Sequence, residues 1–274
     1  MSHNNGLDQA EGLRRMLGAG KNRTVSFLSA LPAQQKNTVL LNLAAALVQK
    51  GSDVHLLDAS HSAQGISATS AAPLKVSLLD VAKHNADPSK AIHQHGQGIQ
   101  ISKLSGIPIN SLSQQDASLN SLAQTLQTLA SDNGICLIDI ELDNDNPFVL
   151  SKLAEGDVVI MTTTSADSIK NAYLQIKALH AQLGKRPYYV LVVSSSMQQA
   201  SLIQKNMSQA ANFYLAVPLI SLGCIPKDDY ISKAEKLGRP VIEAFPTASA
   251  AKAFRAIASQ LTEPQNSVAS AAEQ

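Results

Sequence analysis

Short runs of consecutive apolar residues alternate with longer amphipathic segments along most of the chain. Runs such as Cys136–Ile138 and Val158–Met161 are apolar at every position, which is typical of strands buried on both faces of a parallel sheet. The pattern predicts strands over Thr24–Leu28, Val54–Leu57, Ile99–Leu104, Gly134–Asp139, Val158–Thr162, Tyr188–Val193 and Phe213–Val217. Helical periodicity predicts helices over Thr38–Lys50, Leu78–His84, Leu119–Ser131, Ser168–Leu183, Ser195–Ala210 and Ala248–Leu261. This alternation predicts an α/β fold, a doubly wound and mostly parallel sheet with helices on both faces.

The two ends of the chain fall outside this alternation. We therefore predict an N-terminal helix with its linker (residues 1–20), one α/β domain (21–262) and a disordered tail (263–274). Asp8–Glu11 has the pattern of a capping box, Leu13 and Leu17 share one helical face, and Gly18–Gly20 ends the helix. So short a helix needs a surface to dock on, either its own domain or a partner, and both alternatives stay open. Within the domain, the polar stretch Ser60–Pro73 predicts a mobile loop.

Composition and charge exclude several classes of function. The formal net charge is +1, so no overall field attracts nucleic acid or anionic lipid. The chain has no Trp and only 4% aromatic residues, which argues against a platform for stacking bases. Its apolar runs are too short to span a bilayer and its N-terminus is too polar for a signal peptide. Cys136 and Cys224 lie in apolar segments and are predicted to be reduced, which favours a cytoplasmic protein.

The loop after the first strand has the place and length of a phosphate-binding loop, because ligands of such sheets bind beyond the carboxyl ends of the strands. It reads SALPAQQKNT over Ser29–Thr38. A working loop needs glycines whose amides curl around phosphate, then a lysine for the phosphate and a hydroxyl for magnesium. Lys36 stands at the lysine position, Asn37 replaces the hydroxyl, and Thr38 follows. The glycine positions are occupied by Ala30, Pro32, Ala33 and Gln35.

Several motifs, in order along the chain, carry a resemblance to a known family. The first helix reads LNLAAAL over Leu41–Leu47, and the second strand ends LLDAS at Leu56–Ser60. Both resemble the MinD/ParA class of deviant P-loop ATPases, with their N-L-A-x-A-L and L-L-D-x-D patterns. The segments DQAEGLR (Asp8–Arg14), TTTSADSIKNAY (Thr162–Tyr173) and LGCIPKD (Leu222–Asp228) resemble motifs of the flagellar branch of that class, the FlhG/FleN proteins.

The resemblance implies a site for ATP and magnesium. The implied nucleotide-binding residues are Lys36, Asn37, Thr38, Asp58, Asp139 and Ser194. Of these, Lys36, Asp58 and Asp139 are residual catalytic candidates, and Thr38 and Asp139 are metal candidates, with Asp139 acting through water. Leu31 replaces the signature lysine that reaches across an ATP-bound dimer, and Ser60 replaces the second acid of L-L-D-x-D. Since phosphoryl transfer depends on positioning and charge, we expect weak or no ATP hydrolysis and no ATP-driven homodimer.

The resemblance also implies a function in flagellar biosynthesis, controlling flagellar number or placement. The implied partner is the SRP-type GTPase FlhF, which the N-terminal helix would bind and stimulate. A flagellar transcription regulator or a basal-body protein is implied as a further partner. The residues implied for the FlhF contact are Asp8, Gln9, Ala10, Leu13, Arg14 and Leu17.

We expect no direct binding of nucleic acid. Membrane association is expected only through partners, because the tail from Pro264 contains neither Lys nor Arg. Two alternative functions stay open. The chain could be an active ATPase that switches between monomer and dimer, or a MinD-shaped scaffold with an unrelated partner.

Overall fold

The computed structural model describes residues 23–60, 62–70, 74–96, 98–107, 117–132, 134–142, 152–193 and 195–263. The strands are β1 (Arg23–Ser29), β2 (Val54–Ala59), β3 (His93–Gln94), β4 (Ile99–Lys103), β5 (Ile135–Ile140), β6 (Asp157–Thr162), β7 (Tyr188–Val193) and β8 (Leu219–Ile225). The α-helices in these ranges are α1 (Ala33–Gln49), α2 (Leu78–His84), α3 (Ala117–Asp132), α4 (Ala166–Leu183), α5 (Met197–Leu215), α6 (Asp229–Lys236), α7 (Val241–Ala244) and α8 (Ser249–Thr262). The segment boundaries predicted near residues 20 and 262 remain predictions.

One sheet joins the strands in the order β3-β4-β2-β5-β1-β6-β7-β8. Its pairings are parallel, except that the two-residue β3 runs antiparallel to β4. The predicted doubly wound, mostly parallel α/β fold is therefore confirmed. Because parallel strands end at the same edge, the carboxyl ends of β1, β2 and β5 lie side by side. Asp58 of β2 and Asp139 of β5 are register partners there.

The two faces of the sheet are covered by different helices, because side chains alternate along each strand. Phe27 of β1 belongs to a core cluster with residues of α1 and α8 on one face, and Leu28 belongs to a second cluster with residues of α2, α3, α4 and α5 on the other. The apolar side of α8, formed by Phe254, Ile257 and Leu261, is buried in the first of these clusters. Among the helices described, none is long and apolar enough to cross a membrane.

Arg23 joins the beginning of β1 to the end of α8. Its guanidinium forms an ion pair with Asp157, 2.6 Å from the carboxylate. It also donates hydrogen bonds to the carbonyls of Gln260, Leu261 and Glu263, the shortest being 2.8 Å to Leu261. A cation stabilises these carbonyls, which have no partner within the helix. Both ends of the described chain therefore lie at the amino edge of the sheet, opposite the carboxyl ends of the strands.

The predicted strand Phe213–Val217 is wrong. Phe213 belongs to the last turn of α5, where 82% of its surface is exposed, and the final strand is β8, over Leu219–Ile225. A strand at the edge of a sheet needs no continuous apolar run, because one side of it is partly solvated. β8 also carries a bulge, at which Gly223 has a φ of +108° that glycine adopts readily. Because β8 is partly solvated and carries this glycine bulge, it lacks the continuous apolar run from which strands were predicted.

Candidate functional site

Three of the predicted site residues meet in a crevice at the carboxyl ends of β1, β2 and β5. Asp58 and Asp139 come from adjacent strands, and Lys36 comes from the first turn of α1. All three are buried, with exposures of 5% for Lys36, 0% for Asp58 and 1% for Asp139. The structure therefore brings together three residues that are distant in the sequence: Asp58 is 22 positions after Lys36, and Asp139 is 81 positions after Asp58.

Lys36 and Asp139 form a buried ion pair, with Nζ 2.7 Å from Oδ2. The amide of Ile66 donates a hydrogen bond to the same oxygen at 3.2 Å. Burial raises the pKa of Asp139 above its ordinary value; Lys36 opposes this rise and the nearby charge of Asp58 adds to it. A phosphate group would have to compete with this carboxylate for the Lys36 ammonium.

The loop between β1 and α1 is short, because the helix already begins at Ala33. The residue before it, Pro32, has no amide hydrogen to donate. The amide of Lys36 donates to the carbonyl of Pro32 at 3.0 Å, as in any regular helix. In a phosphate-binding loop, the amides around this lysine are directed at the anion instead. Here the amide of Lys36 is used within the helix.

Asn37 stands at the position of the magnesium-binding hydroxyl, and half of its amide group is unused. Its Nδ2 donates hydrogen bonds to the carbonyls of Gln64 at 3.0 Å and Gly65 at 3.3 Å. Its Oδ1, like Oδ1 of Asp139, is buried and has no partner among the described residues. Amide and carboxylate oxygens of this kind suit magnesium, directly or through water. A role of Asn37 and Asp139 in holding a metal stays a prediction, with which these two unpartnered oxygens are compatible.

The hydroxyl of Thr38 already contacts other residues of the chain. It lies 3.0 Å from the carbonyl oxygen of Gln34 and also contacts the carboxylate of Glu235 on α6, and its one hydrogen is shared between these two acceptors. One turn later, Oδ1 of Asn42 accepts a hydrogen bond of 2.6 Å from the amide of Val241. This side of α1 is thereby fastened to α6 and α7, which sequence reasoning did not foresee. A role of Thr38 in metal binding stays a prediction that these contacts do not support.

The stretch predicted as a mobile loop contains an ordered segment over the crevice. This segment, Ser62–Ser70, is named here the strap. It includes a 3-10 helix over Ile66–Thr69, and Ile66 is fully buried in the core. These residues therefore include a short helix that was not predicted, and their mobility stays a prediction. The only signal in the sequence was Ile66, a single large apolar residue among small and polar ones.

Asp58 is saturated with hydrogen bonds. Its Oδ1 accepts from the amide of Ser60 at 3.0 Å and from the hydroxyl of the same residue at 2.6 Å. Its Oδ2 accepts from the amide of Ser67 at 3.0 Å and from the Ser67 hydroxyl. Ser60, which replaces an acid of the family pattern, therefore helps to hold Asp58 in place.

A cavity of about 480 Å³ lies beside the ion pair. It is lined by Ser29, Leu31, Ala33, Lys36, Ile140, Glu141, Leu142 and Gln175. Four of these eight side chains are apolar. No group of three or more His, Cys, Asp or Glu side chains that could hold a metal occurs within the described ranges. Ser194 and the whole predicted partner segment, residues 8 to 17, lie outside those ranges.

No family model matches this chain. Among curated proteins, it is 26% identical to the antiactivator FleN of Pseudomonas aeruginosa over 232 residues, which cover 82% of this chain and 81% of FleN. It is also 26% identical to an uncharacterised ATP-binding protein of Methanocaldococcus jannaschii over 238 residues, which cover 86% of each chain.

Solved structures give the same picture at the level of the fold. A ParA family ATPase from Chlorobium tepidum has a TM-score of 0.63 at 18% identity, covering 87% of this chain and 99% of its own. The cell division ATPase MinD of Pyrococcus furiosus has a TM-score of 0.62 at 19% identity, covering 88% and 98%. MinD of Pyrococcus horikoshii in complex with Mg-ADP has a TM-score of 0.59 at 19% identity, covering 87% and 95%. The chain therefore has the fold of the MinD and ParA P-loop ATPases, and it is a distant homologue of FleN.

Proposed function

We propose that this protein is a FleN-like regulator of flagellar biosynthesis that acts by binding and stimulating the GTPase FlhF. The observation that carries the proposal is the similarity to FleN, which extends over four fifths of both chains rather than over one motif. The fold is shared with many ATPases, so it does not distinguish this function from others. A flagellar transcription regulator or basal-body protein is the further partner class that the relationship suggests.

The N-terminal segment is the part of the chain that we assign to FlhF. Leu13 and Leu17 are four residues apart, so a helix places them on one face, where a partner groove can bury them. Arg14 adds a planar cation that can pair with a carboxylate or phosphate of the partner. This pattern is independent of the crevice, so the segment can act without nucleotide turnover.

Weak or absent ATP hydrolysis is the second part of the proposal. The Lys36 ammonium forms an ion pair with Asp139. The helix α1 begins at Ala33, where a phosphate-binding loop would not yet be helical. Catalysis of phosphoryl transfer relies on such groups being directed at the phosphates beforehand. A protein with this arrangement is better suited to binding partners than to hydrolysing ATP.

A peptide of residues 7–18 tests the partner assignment directly. We expect it to raise GTP turnover by the FlhF protein of the same organism, and the same peptide with Leu13→Asp or Arg14→Ala to lose this effect. A peptide with Gly12→Ala is the matched control, because the change leaves the apolar face and Arg14 intact. No stimulation by the unmodified peptide would contradict the proposal.

The full-length protein separates partner binding from the nucleotide site. Lys36→Ala, assayed at a temperature at which circular dichroism shows it to be folded, should stimulate FlhF almost as well as the unmodified protein. If Lys36 were required and the N-terminal segment dispensable, the crevice rather than the segment would govern function.

An ATP-binding switch is the second candidate function. It is favoured by the similarity to the archaeal ATP-binding protein and by the two unpartnered oxygens of Asn37 and Asp139. Titration with ATP and ADP, each with and without magnesium, distinguishes the two candidates. Low-micromolar binding that converts monomer to dimer in light scattering would support the switch, and the absence of both would support the first proposal.

A further inference from the structure

The strap contacts three of the residues that the sequence assigns to nucleotide. Two of its carbonyls accept hydrogen bonds from Asn37, and the amide of Ile66 donates to Asp139. Both the amide and the hydroxyl of Ser67 donate to Asp58. Each of these predicted ligand-binding side chains therefore has a partner from the chain itself.

The close approach of Gly65 to Asp58 also holds the strap in place. A Cβ on Gly65 would overlap the hydroxyl of Ser60 and both carboxylate oxygens of Asp58. The φ of Gly65 is extended, at −61° with ψ 174°, so glycine is needed for space and not for backbone conformation. The strap lies against Asp58 so closely that only a residue without a side chain fits between them.

Opening the strap would be unfavourable for two further reasons. Ile66 is fully buried and packs in the cluster formed with α1 and α8, so its apolar surface would be returned to water. Oδ2 of Asp58 would lose both donors of Ser67, and a buried carboxylate oxygen without donors is costly. Both costs arise whatever ligand is present.

We propose that the strap is a built-in closure of the crevice. It forms hydrogen bonds with Nδ2 of Asn37, Oδ2 of Asp58 and Oδ2 of Asp139, which would otherwise be open to a ligand, and it stays in place when nucleotide is present. Asp58 and Gly65 thereby serve to hold the strap, and the Lys36–Asp139 pair lies beneath it. This proposal concerns the crevice alone and does not depend on FlhF.

Hydrogen exchange of the full-length protein tests the closure. Ser67→Ala removes one hydrogen bond to the Asp58 carboxylate, so exchange at the amides of Ile66 and Ser67 should become roughly tenfold faster or more. Ser62→Ala is the matched control. The Ser62 hydroxyl accepts a hydrogen bond of 3.0 Å from Gln64 inside the strap and does not reach Asp58, so this variant should stay within about twofold. Equal exchange in Ser67→Ala and the unmodified protein would overturn the proposal.

A second measurement needs no variant. Exchange at Ile66 and Ser67 in the unmodified protein is recorded with and without saturating Mg-ADP, and separately with Mg-ATP. We expect the same rates in all conditions. Faster or slower exchange at these two amides with either nucleotide would show that the strap responds to ligand, and would overturn the proposal even if Ser67→Ala could not be purified.

Discussion

Single residues decide how the crevice is held together. A lysine and a carboxylate buried side by side must neutralise each other, because an isolated charge in the protein interior is very costly. The motif position of Lys36 and the strand-end position of Asp139 could be read from the sequence. Their pairing could not, because it depends on where α1 and β5 meet in three dimensions.

Lys36→Met removes the partner of a buried carboxylate. We expect the free energy of unfolding to fall by about 3 kcal/mol, since breaking a buried pair from one side leaves an uncompensated charge. The double variant Lys36→Met, Asp139→Asn should recover part of this loss, because the remaining charge is gone. Urea unfolding of the four proteins of this cycle measures the effect. A single variant as stable as the unmodified protein would mean that the pair contributes nothing to folding.

Protonation of His55 makes the free energy of unfolding depend on pH. It is fully buried in β2, with Nε2 2.7 Å from the hydroxyl of Ser102, and burial lowers its pKa to about 4. The unfolded chain, with a His pKa near 6.5, takes up the proton first as the pH falls. The free energy of unfolding should therefore contain the full contribution of neutral His55 above about pH 6.5. As the pH falls towards 4, this contribution should be lost, which lowers the free energy of unfolding by about 3 kcal/mol.

Two glutamine variants isolate the contribution of His55 to this pH dependence. His55→Gln should flatten the decline between about pH 6.5 and pH 4, because no proton is taken up at this position. His84→Gln, at an exposed position, should keep the decline of the unmodified protein. Urea unfolding at several pH values provides the comparison, and equal slopes in the two variants would contradict the assignment to His55.

At the scale of elements, the sequence was most informative where burial is complete. β5, β6 and β7 are apolar at consecutive positions, and their predicted bounds differ from the observed ones by no more than one residue. β8 was missed because an edge strand is partly solvated. α6 was missed because Ala234 is its only buried residue, and α7 because four residues make little more than one turn. The strap was missed because hydrogen bonds from backbone and serine to Asp58 leave no hydrophobic pattern.

The corrected assignment of Phe213 can be checked by stability. Because Phe213 lies on the exposed side of α5, Phe213→Gln should change the free energy of unfolding by less than about 0.5 kcal/mol. Met207→Gln, on the buried side of the same helix with 3% exposure, should lower it by roughly 2 to 3 kcal/mol. Thermal unfolding followed by circular dichroism distinguishes them. A large loss in the Phe213 variant would indicate that this side chain is covered in solution.

Neither the net charge of the chain nor the apolar side of α8 favours binding to a lipid surface. Its net charge is +1, and the apolar side of α8, a helix that could otherwise insert, is occupied by contacts with the core. We expect the purified protein to remain in the supernatant after sedimentation with vesicles of anionic phospholipid, with and without ATP. Co-sedimentation that disappears when residues 264–274 are deleted would contradict this, and a protein carrying an added basic amphipathic helix serves as the positive control.

The link that Arg23 makes to the end of α8 has a practical consequence for reporters. The seven residues of β1 separate that link from the crevice by about 20 Å, since a strand rises about 3.3 Å per residue. Arg23 and Glu263, the first and last described residues, both lie at this far edge. A fluorescent protein fused directly after Glu263 would therefore begin beside Arg23, on the chain that leads to the segment proposed to bind FlhF, and away from the crevice. Imaging of this protein calls for a label on a surface side chain near the strap end of the sheet.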